Sequence, residues 1–348
     1  MRKFDYSFLN NGLLPARLLN LTAGITELKV MAGVRKGVYA KIFTELEAVA
    51  RVQSVKSSNA IEGIVTSDDR IAAIVNGDNA PLNHNEVEIM GYRDALHHVH
   101  VNYEDISFCE RDILRLHEIM MSSFGDAGGG IYKKEDNVIL EIEADGRRRV
   151  RFRPTPAREV GEAMEQLELA YMEARGDAGI NQLLLIPCVI LDFLCIHPFR
   201  DGNGRMSRLL SLLLLYKNGF DVGKYVSFGE QINNYKGFYY EALKQSSTDW
   251  EIGQNDYFPF IENFLSTLYM CYKELDKRFA IVNGKRITKK GRIEATVLNS
   301  LVPISKFEIC KILPDVSPTT VEAVLGGMVR DGRIKKIGNG VSSRYLKA

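Results

Sequence analysis

Apolar residues recur every three to four positions along most of this chain, the spacing of helices that bury one face. Segments 42–55, 86–99 and 110–121 show this spacing most clearly. Segments 183–196 and 209–216 are almost continuously apolar instead, which indicates helices that are buried on all sides. Weaker patterns predict further helices over 18–34, 157–174, 203–218 and 255–279. The pattern therefore predicts a mainly α fold built around a helical bundle.

A different period appears between Val138 and Arg153, where residues alternate in type as they do in β-strands. Asp145-Gly146 marks a turn between the two alternating runs, and Asp126 to Gly130 forms a glycine-rich hinge before them. We therefore predict a β-hairpin that has a charged face and an apolar face. The predicted register pairs Glu143 with Arg149, Glu141 with Arg151, Ile142 with Val150, and Leu140 with Phe152.

The last 67 residues differ in charge from the rest of the chain. Segment 282–348 holds 13 Lys and Arg against 5 Asp and Glu, whereas the whole chain is nearly balanced at 45 against 44. A basic linker over 282–292 precedes three short predicted helices and a hairpin. The helices span 293–301, 305–313 and 317–330, and the hairpin strands span 333–337 and 343–346 around a turn at 338–340. This order resembles a winged helix, which leaves DNA binding and protein docking both open.

The composition argues against a membrane-spanning or exported protein. No apolar run reaches the roughly 18 residues that a membrane span needs, and no leader-like segment opens the chain, so we expect a cytoplasmic protein. The five cysteines are scattered without CxxC spacing, which favours reduced thiols. His97 and His100 lack partners with metal-ligand spacing, and we predict that they are surface residues.

The segment from His197 to Arg208 joins the two continuously apolar runs. Pro198 ends the first predicted helix, and the second begins after the glycines. Gly202 and Gly204 let the connecting loop turn tightly, so that its backbone N–H groups can face an anion at the start of the second helix. The sequence therefore predicts an anion-binding loop between two buried helices.

The side chains of this loop suit reactions of phosphate groups. His197 can accept a proton from a hydroxyl near neutral pH. Asp201 offers a hard oxygen ligand that Mg²⁺ prefers. Arg205 and Arg208 lie at i and i+3 on one helix face and can bind phosphate oxygens. Together they indicate transfer of a phosphate-linked group.

This segment matches the Fic family signature HPFx(D/E)GNGRxxR at every specified position, so the chain resembles that family. The resemblance implies a Fic-type helical bundle and the family's usual activity, which is transfer of AMP from ATP, with Mg²⁺, to a Ser, Thr or Tyr hydroxyl of a target protein. It implies that His197 is the general base, that Phe199 anchors the loop in the core, and that Asp201 binds Mg²⁺. It also assigns the α- and β-phosphates to Gly202, Asn203 and Gly204, and the distal phosphates to Arg205 and Arg208.

The stretch from Ser58 to Gly63 supports two interpretations. From the residues alone, Ser and Asn favour a helix boundary, so that the preceding helix would end near Ser57. The stretch also matches the family's inhibitory motif (S/T)xxxE(G/N), with Ser58 and Glu62 in their places. The resemblance implies that Glu62 pairs with Arg205 and excludes the γ-phosphate of ATP. We therefore expect an autoinhibited enzyme.

Two further features follow from the resemblance. In the family a hairpin called the flap precedes the signature, and here hairpin 138–153 would hold an unknown target protein by strand addition. Lys133, just before it, stands where the family more often has Arg. Aromatic residues in the position of Tyr239 and Tyr240 line the nucleotide pocket of relatives, although buried tyrosines are more often part of a core.

We therefore predict three regions: an N-terminal helical region with the inhibitory motif (1–84), a Fic catalytic domain with its flap (85–281), and a winged-helix-like domain (282–348). The predicted function is that of a protein adenylyltransferase autoinhibited by Glu62. Two alternatives stay open. The site could transfer another nucleotide or remove AMP, or the chain could be a DNA-binding regulator with a nucleotide-sensing core. A homodimer is a further open partner, and no membrane is expected.

Overall fold

The computed structural model describes residues 2–77, 80–122, 129–142, 147–280, 289–298, 300, 303–313, 316–338, 340 and 343–348. Most of these residues are helical, which confirms the predicted mainly α class. The helices are α1 Phe8–Asn11, α2 Ala16–Val38, α3 Ala40–Ile61, α4 Asp68–Asn76, α5 His84–Asn102, α6 Glu110–Met121, α7 Val160–Gly176, α8 Gln182–Ile196, α9 Asn203–Lys217, α10 Phe228–Asn234, α11 Lys236–Ser247, α12 Phe258–Ala280, α13 Lys289–Leu298, α14 Lys306–Ile312 and α15 Pro318–Arg330. The strands are β1 Ile139–Ile142, β2 Arg148–Phe152, β3 Ile304–Ser305, β4 Ile334–Ile337 and β5 Arg344–Lys347.

One hydrophobic core runs from Phe4 to Leu275 and has α8 and α9 near its centre. Every residue of α8 from Leu183 to Ile196 is buried, as its continuous apolar sequence predicts. Helices on both sides of residue 84 share this core, and the predicted boundary there stays a prediction. Among the described residues, no helix combines the length and apolar character that crossing a bilayer requires.

Helix α3 continues beyond its predicted end near Ser57. Ser58 and Asn59 lie in its last turn, where Asn59 Nδ2 donates to the Val55 carbonyl at 2.7 Å. Glu62 follows the helix, and Gly63 takes a left-handed φ of 82°, which suits glycine and ends the helical path. The prediction that this helix ends near Ser57 was therefore wrong, because burial of this turn outweighs the capping preference of Ser and Asn.

The hairpin of β1 and β2 forms where it was predicted, but its register is shifted by two residues. The shift accompanies a bulge between Ile139 and Leu140. Two charged side chains bind residues outside the hairpin: Glu141 pairs with Lys244 at 3.2 Å, and Arg151 donates to the Tyr240 carbonyl at 3.5 Å. The observed pairs are Ile139 with Phe152, Leu140 with Val150, Glu141 with Arg149, and Ile142 with Arg148; Glu143 and the predicted turn at Asp145-Gly146 lie outside the described residues.

The basic C-terminal segment has its own smaller core, which extends from Ile293 to Ile334. Helices α13 to α15 and the hairpin of β4 and β5 lie near their predicted positions, and the short strand β3 adds to β5. The predicted linker is helical from Lys289 onward, and its earlier residues lie outside the described ones. Of the predicted glycine-rich hinge, only Gly129 and Gly130 belong to the described residues.

His100 corrects the prediction that it lies on the surface with His97. It is buried, and its Nε2 lies 3.2 Å from the Tyr216 hydroxyl. Its place on the inner face of α5 beside Val99 explains the burial, whereas His97 is exposed.

A fully buried carboxylate ties the start of the chain to α8. Asp192 accepts hydrogen bonds from the Tyr6 hydroxyl at 2.8 Å, the Trp250 indole at 2.6 Å and the Tyr257 hydroxyl at 2.9 Å. Arg2 lies 3.8 Å away. Burial raises the pKa of Asp192 despite this cation and these donors. The cluster therefore depends on complete hydrogen bonding of one buried group.

Asp192→Ala is expected to lower the free energy of unfolding by about 3–5 kcal/mol, because three buried donors would lose their acceptor. Urea unfolding at pH 7 measures the change. Asp177→Ala, which removes an exposed carboxylate bonded to Asn10, is the control and should have little effect. Equal losses in the two variants would contradict a special role for the buried cluster.

Candidate active site

The signature loop lies between the end of α8 and the start of α9. His197 follows α8 with a left-handed φ of 53°, and its N–H still donates to the Phe193 carbonyl at 2.9 Å. A left-handed conformation is rare for residues other than glycine and is found preferentially where surrounding packing enforces it. Gly202 has a φ of 80° and caps α9, whose first N–H groups therefore open onto the loop. The backbone thus places an imidazole beside a helix N-terminus.

The ring of His197 is oriented by its own helix. Nδ1 lies 3.3 Å from the Leu194 carbonyl, so Nδ1 carries the proton and donates it there, which leaves the lone pair on Nε2. Burial, assisted by the nearby charge of Lys133, lowers the pKa of His197 to about 4. The imidazole is therefore neutral at physiological pH and can accept a proton at Nε2.

Asn203 and Phe199 brace the loop internally. The Asn203 side chain accepts from the Phe199 N–H at 2.9 Å and donates to the Phe199 carbonyl at 2.8 Å. Phe199 is fully buried, as the resemblance implies. Because the Asn203 amide is used in this way, any contact of Asn203 with a phosphate falls to its backbone N–H.

His117, on α6, holds the same loop from the other side and was missed by the sequence analysis. Its ring stacks on Phe199 at a centroid distance of 3.7 Å. Its Nε2 lies 3.2 Å from the Asp201 carbonyl, and its Nδ1 accepts from the Gly130 N–H at 3.0 Å. His117 therefore links the loop to the segment that leads into the hairpin. The sequence did contain one indication of its burial: His117 lies one helical turn after the apolar residue Ile113, on the same face of α6.

Arg208 is held by the Ser58–Glu62 segment. Its Nε donates to the Ser58 hydroxyl at 2.7 Å, and its Nη2 donates to the Ser58 carbonyl at 2.9 Å and to Glu62 Oε1 at 2.8 Å. A Cβ placed on Gly204 would collide with this Glu62 oxygen, so the carboxylate lies directly against the loop backbone. A carboxylate thus occupies the anion-binding loop.

The pairing of Glu62 with Arg205, implied by the resemblance, was therefore wrong. Glu62 binds Arg208, whereas Arg205 Nη2 lies 2.7 Å from Glu88 Oε2 and 3.8 Å from Asp201 Oδ2. The reason is geometric: the end of α3 reaches the second turn of α9, while α5 lies beside the first turn. Glu88 was not found from the sequence, because it belongs to no motif.

Tyr239 and Tyr240 lie close to the Glu62–Arg208 pair. The charges of both partners alter the pKa of each tyrosine, although burial is the main cause and raises the pKa of Tyr239 to about 12. Tyr239 belongs to the hydrophobic core and packs on Phe260 at 5.8 Å, whereas Tyr240 is half-buried. Of the two, Tyr240 is the one with a surface left for a ligand.

Asp201 is the residue that could hold a metal ion. Its side chain is 71% exposed, and one oxygen accepts from the Gly202 N–H at 2.6 Å. Among the described residues, no group of three or more His, Cys, Asp or Glu is arranged to bind a metal. A single exposed carboxylate beside a phosphate-binding loop fits a Mg²⁺ ion that keeps most of its waters and arrives with a nucleotide.

Three histidines that are buried or partly buried make the fold sensitive to acid. Burial lowers the pKa of His100 to about 3 and the pKa values of His117 and His197 to about 4. The unfolded chain binds these protons near pH 6.5, so stability is complete above that pH and falls as the pH drops toward 4. We expect the free energy of unfolding to fall by up to about 4 kcal/mol per pH unit below 6.5.

Urea unfolding at pH 7 and pH 5 tests this expectation. His100→Gln removes one of the three histidines whose pKa values are lowered most and should reduce the slope by up to about one third. A slope that is the same in His100→Gln, or an absence of slope in the parent, would contradict the buried neutral state of these rings.

Comparison with known proteins places these features in a family. Residues 107–215 match the model of the Fic/DOC family. Over 80 residues the chain is 38% identical to a Fido domain-containing protein of Dictyostelium discoideum; the matched segment is 22% of this chain and 56% of that relative. The chain thus spans about half the length of that relative.

Solved structures share the fold at low sequence identity. A Fic family protein from Desulfovibrio desulfuricans is 22% identical, with a TM-score of 0.61 and 97% of both chains covered. A Fic domain-containing signaling protein from Bacteroides thetaiotaomicron is 18% identical, with a TM-score of 0.60, 75% of this chain and 96% of that one. A fragment of Fic-1 from C. elegans is 18% identical, with a TM-score of 0.55, 77% of this chain and 73% of that one. The segment from His117 to Arg208 lies within a Fic/DOC-family domain that covers residues 107–215 of this chain.

Proposed function

We propose that this chain is a protein adenylyltransferase that transfers AMP from ATP to a hydroxyl side chain of a target protein. The observation that carries the proposal is the arrangement of one loop. It places the neutral imidazole of His197 just before the N-terminus of α9, whose first two turns carry the buried arginines Arg205 and Arg208. These groups supply a base, a cradle for phosphate and positive charge for a leaving group.

In the proposed reaction, the target hydroxyl gives its proton to Nε2 of His197 while its oxygen attacks the α-phosphorus of ATP. A bond forms between that oxygen and phosphorus, and the bond from the α-phosphorus to the oxygen that bridges to the β-phosphate breaks. The electron pair leaves with pyrophosphate, whose negative charge is balanced by Arg205 and Arg208. The braces from Asn203 and His117 keep the loop in position, and positioning is a large part of catalysis of this kind.

Magnesium fits the same loop through Asp201. The exposed carboxylate would hold a hydrated Mg²⁺, which neutralises charge on the phosphates when it is bound. The backbone N–H groups of Gly202, Asn203 and Gly204 would contact the α- and β-phosphates, and Tyr240 would line the nucleotide pocket with Tyr239 packed behind it.

Glu62 supports a proposal of autoinhibition. Its carboxylate is bound to Arg208, a cation that the proposed reaction needs for the distal phosphate. Two anions repel each other on one arginine, so ATP cannot bind in a reactive position until Glu62 withdraws. Ser58 strengthens the closed state, because it binds the same guanidinium through its hydroxyl and its carbonyl. Region 1–84 would then regulate the catalytic domain 85–281.

The hairpin 138–153 is the proposed docking site of the target protein. Leu140 and Val150 stand opposite each other with exposed side chains, which gives the hairpin an apolar surface. An extended target segment that pairs with the hairpin edge would present its hydroxyl to His197.

For the C-terminal domain 282–348, DNA binding, protein docking and dimer formation all stay predictions. Lys335 and Lys336 are exposed on β4 and suit phosphate contact. In a winged helix that binds DNA, the N-terminal end of the helix in the position of α15 would enter the major groove. Near that end, however, Glu322 pairs with Lys306 at 2.7 Å and neutralises its positive charge. DNA binding, protein docking and dimer formation through this domain would each leave the proposed transfer reaction unchanged.

Labelled nucleotides test the proposal directly. The Glu62→Gly variant, incubated with Mg²⁺ and a protein extract, is expected to label protein from ATP that carries the label on its α-phosphate, and not from ATP labelled on its γ-phosphate. Label from γ-labelled ATP would indicate a kinase instead. Stronger labelling from α-labelled GTP, CTP or UTP would assign another nucleotide, and release of AMP from labelled protein would assign the reverse reaction.

A further inference from the structure

The two arginines of the signature differ in how their donors are used. Arg208 has both Nε and Nη2 hydrogen-bonded to the Ser58–Glu62 segment. Arg205 is 1% exposed, yet its Nε and Nη1 have no hydrogen-bond partner among the described residues. Leaving buried donors of a charged group unpaired is costly, and native proteins rarely do so without a ligand. The open donors of Arg205 therefore indicate where an anion binds.

Glu88 forms a close ion pair with Arg205. The two side chains meet at 2.7 Å between Arg205 Nη2 and Glu88 Oε2, and Glu88 is only 10% exposed in its side chain. The next carboxylate, that of Asp201, is 3.8 Å away and largely exposed. The other Glu88 oxygen lies 3.6 Å from His84 Nε2, one helical turn earlier on α5. The guanidinium is thus fixed from one side by a rigid helix.

We propose that Glu88 is a positioning residue that directs Arg205 toward the β-phosphate of a bound nucleotide. A guanidinium is planar, so a close ion pair at one terminal nitrogen restricts the plane in which the other donors point. Glu88 binds Nη2 and leaves Nε and Nη1 open for oxygen acceptors. This inference rests on the proposed function, since it assigns a role within the same nucleotide site.

The roles of Glu88 and Glu62 are opposite, although both are carboxylates bound to arginines of α9. Glu62 completes the hydrogen bonding of Arg208 and leaves it less free for phosphate, whereas Glu88 holds Arg205 in a form that can still bind. Removal of Glu62 should therefore strengthen binding of a nucleotide polyphosphate, and removal of Glu88 should weaken it. This difference in sign separates a positioning residue from a second inhibitory one.

Nucleotide affinity tests the inference without requiring transfer. Calorimetry with ADP and with AMP compares Glu62→Gly with Glu62→Gly/Glu88→Gln. We expect the Kd for ADP to rise about tenfold, which is the loss expected for a weakened hydrogen bond to a charged group, and the Kd for AMP to stay unchanged. The selective effect is expected because AMP lacks the β-phosphate that Arg205 would bind.

Glu86→Gln is the matched control in the same background. Glu86 lies two residues away on α5, is also buried, and pairs with Arg70 at 2.6 Å instead of with the loop. It should leave both affinities unchanged. Glu88→Asp, which keeps the charge but withdraws the carboxylate, should give the same selective loss and replaces Glu88→Gln where that variant does not fold.

A thermodynamic cycle with Arg205→Ala completes the test. If Glu88 acts through Arg205, Glu88→Gln should cause no further loss of ADP affinity once Arg205 is removed. Unchanged ADP affinity in Glu88→Gln, a rise in affinity, equal losses of ADP and AMP, or no ADP binding to Glu62→Gly would each overturn the inference. ADP binding that depends on Glu88, without any AMP transfer to protein, would count against the proposed function alone.

Discussion

Glu62→Gly is expected to raise the rate of AMP transfer by roughly 10- to 100-fold, the factor that corresponds to losing one or two hydrogen bonds between charged groups. In the parent, Arg208 Nη2 is bound to Glu62 Oε1 at 2.8 Å, and the carboxylate lies against Gly204. Glycine removes the competing anion and leaves Arg208 free for the γ-phosphate. Intact-mass spectrometry after incubation with ATP and Mg²⁺ measures self-modification, and α-labelled ATP measures modification of other proteins.

Ser58→Ala provides a graded test of the same contact. It removes the hydroxyl that accepts from Arg208 Nε at 2.7 Å but leaves the Glu62 carboxylate in place. Its activity should therefore fall between that of the parent and that of Glu62→Gly. Glu86→Gln, which breaks a buried ion pair away from the loop, should leave the rate unchanged. Equal rates in the parent and in Glu62→Gly would remove autoinhibition by Glu62.

Stability offers an independent check on the same pair. Loss of Glu62 leaves the buried guanidinium of Arg208 without its carboxylate, so Glu62→Gly should unfold at a lower urea concentration than the parent. Added ATP should then stabilise Glu62→Gly more than it stabilises the parent, because stabilisation by a ligand that binds the folded state increases with the logarithm of the ratio of ligand concentration to Kd. If Glu62→Gly gained activity but ATP stabilised it no more than the parent, inhibition would have been relieved by a mechanism other than freeing Arg208.

The sequence predicted those features that depend on local pattern. The continuous apolar runs located α8 and α9, and the glycines between them located the loop that carries His197. Alternation located the hairpin and the faces of its strands. These features follow from chain periodicity and turn chemistry, which act over a few residues.

Features that depend on tertiary packing were predicted less well. The identity of the arginine that meets Glu62 was wrong, because Arg205 and Arg208 share a helix face and only the approach of α3 and α5 distinguishes them. The hairpin register was wrong by two residues, because a shift of two residues preserves the alternation of side chains and the sequence pattern alone does not distinguish the two registers. Glu88 and His117 were missed because neither stands in a motif, and each acts through a residue distant in sequence.

His197→Asn is expected to lower the rate of transfer by about 10²- to 10⁴-fold, the range for loss of a general base, when it is introduced into Glu62→Gly. Asparagine is preferable to alanine here, since residue 197 has a left-handed φ of 53° that asparagine tolerates better. The variant therefore removes the proton acceptor and keeps the turn between α8 and α9. The rate of AMP transfer from α-labelled ATP measures the effect.

Nucleotide binding separates loss of the base from loss of the site. Because the ring nitrogen Nδ1 is bonded to the Leu194 carbonyl and not to the arginines, the affinity of His197→Asn for ATP should stay close to that of Glu62→Gly. His97→Ala, which changes an exposed histidine on α5, is the matched control and should change neither rate nor affinity. Normal ATP affinity with a rate reduced in this range would assign proton transfer to His197. A rate reduced only in proportion to lost affinity would make the imidazole a binding group, and another residue would then have to accept the proton of the target hydroxyl.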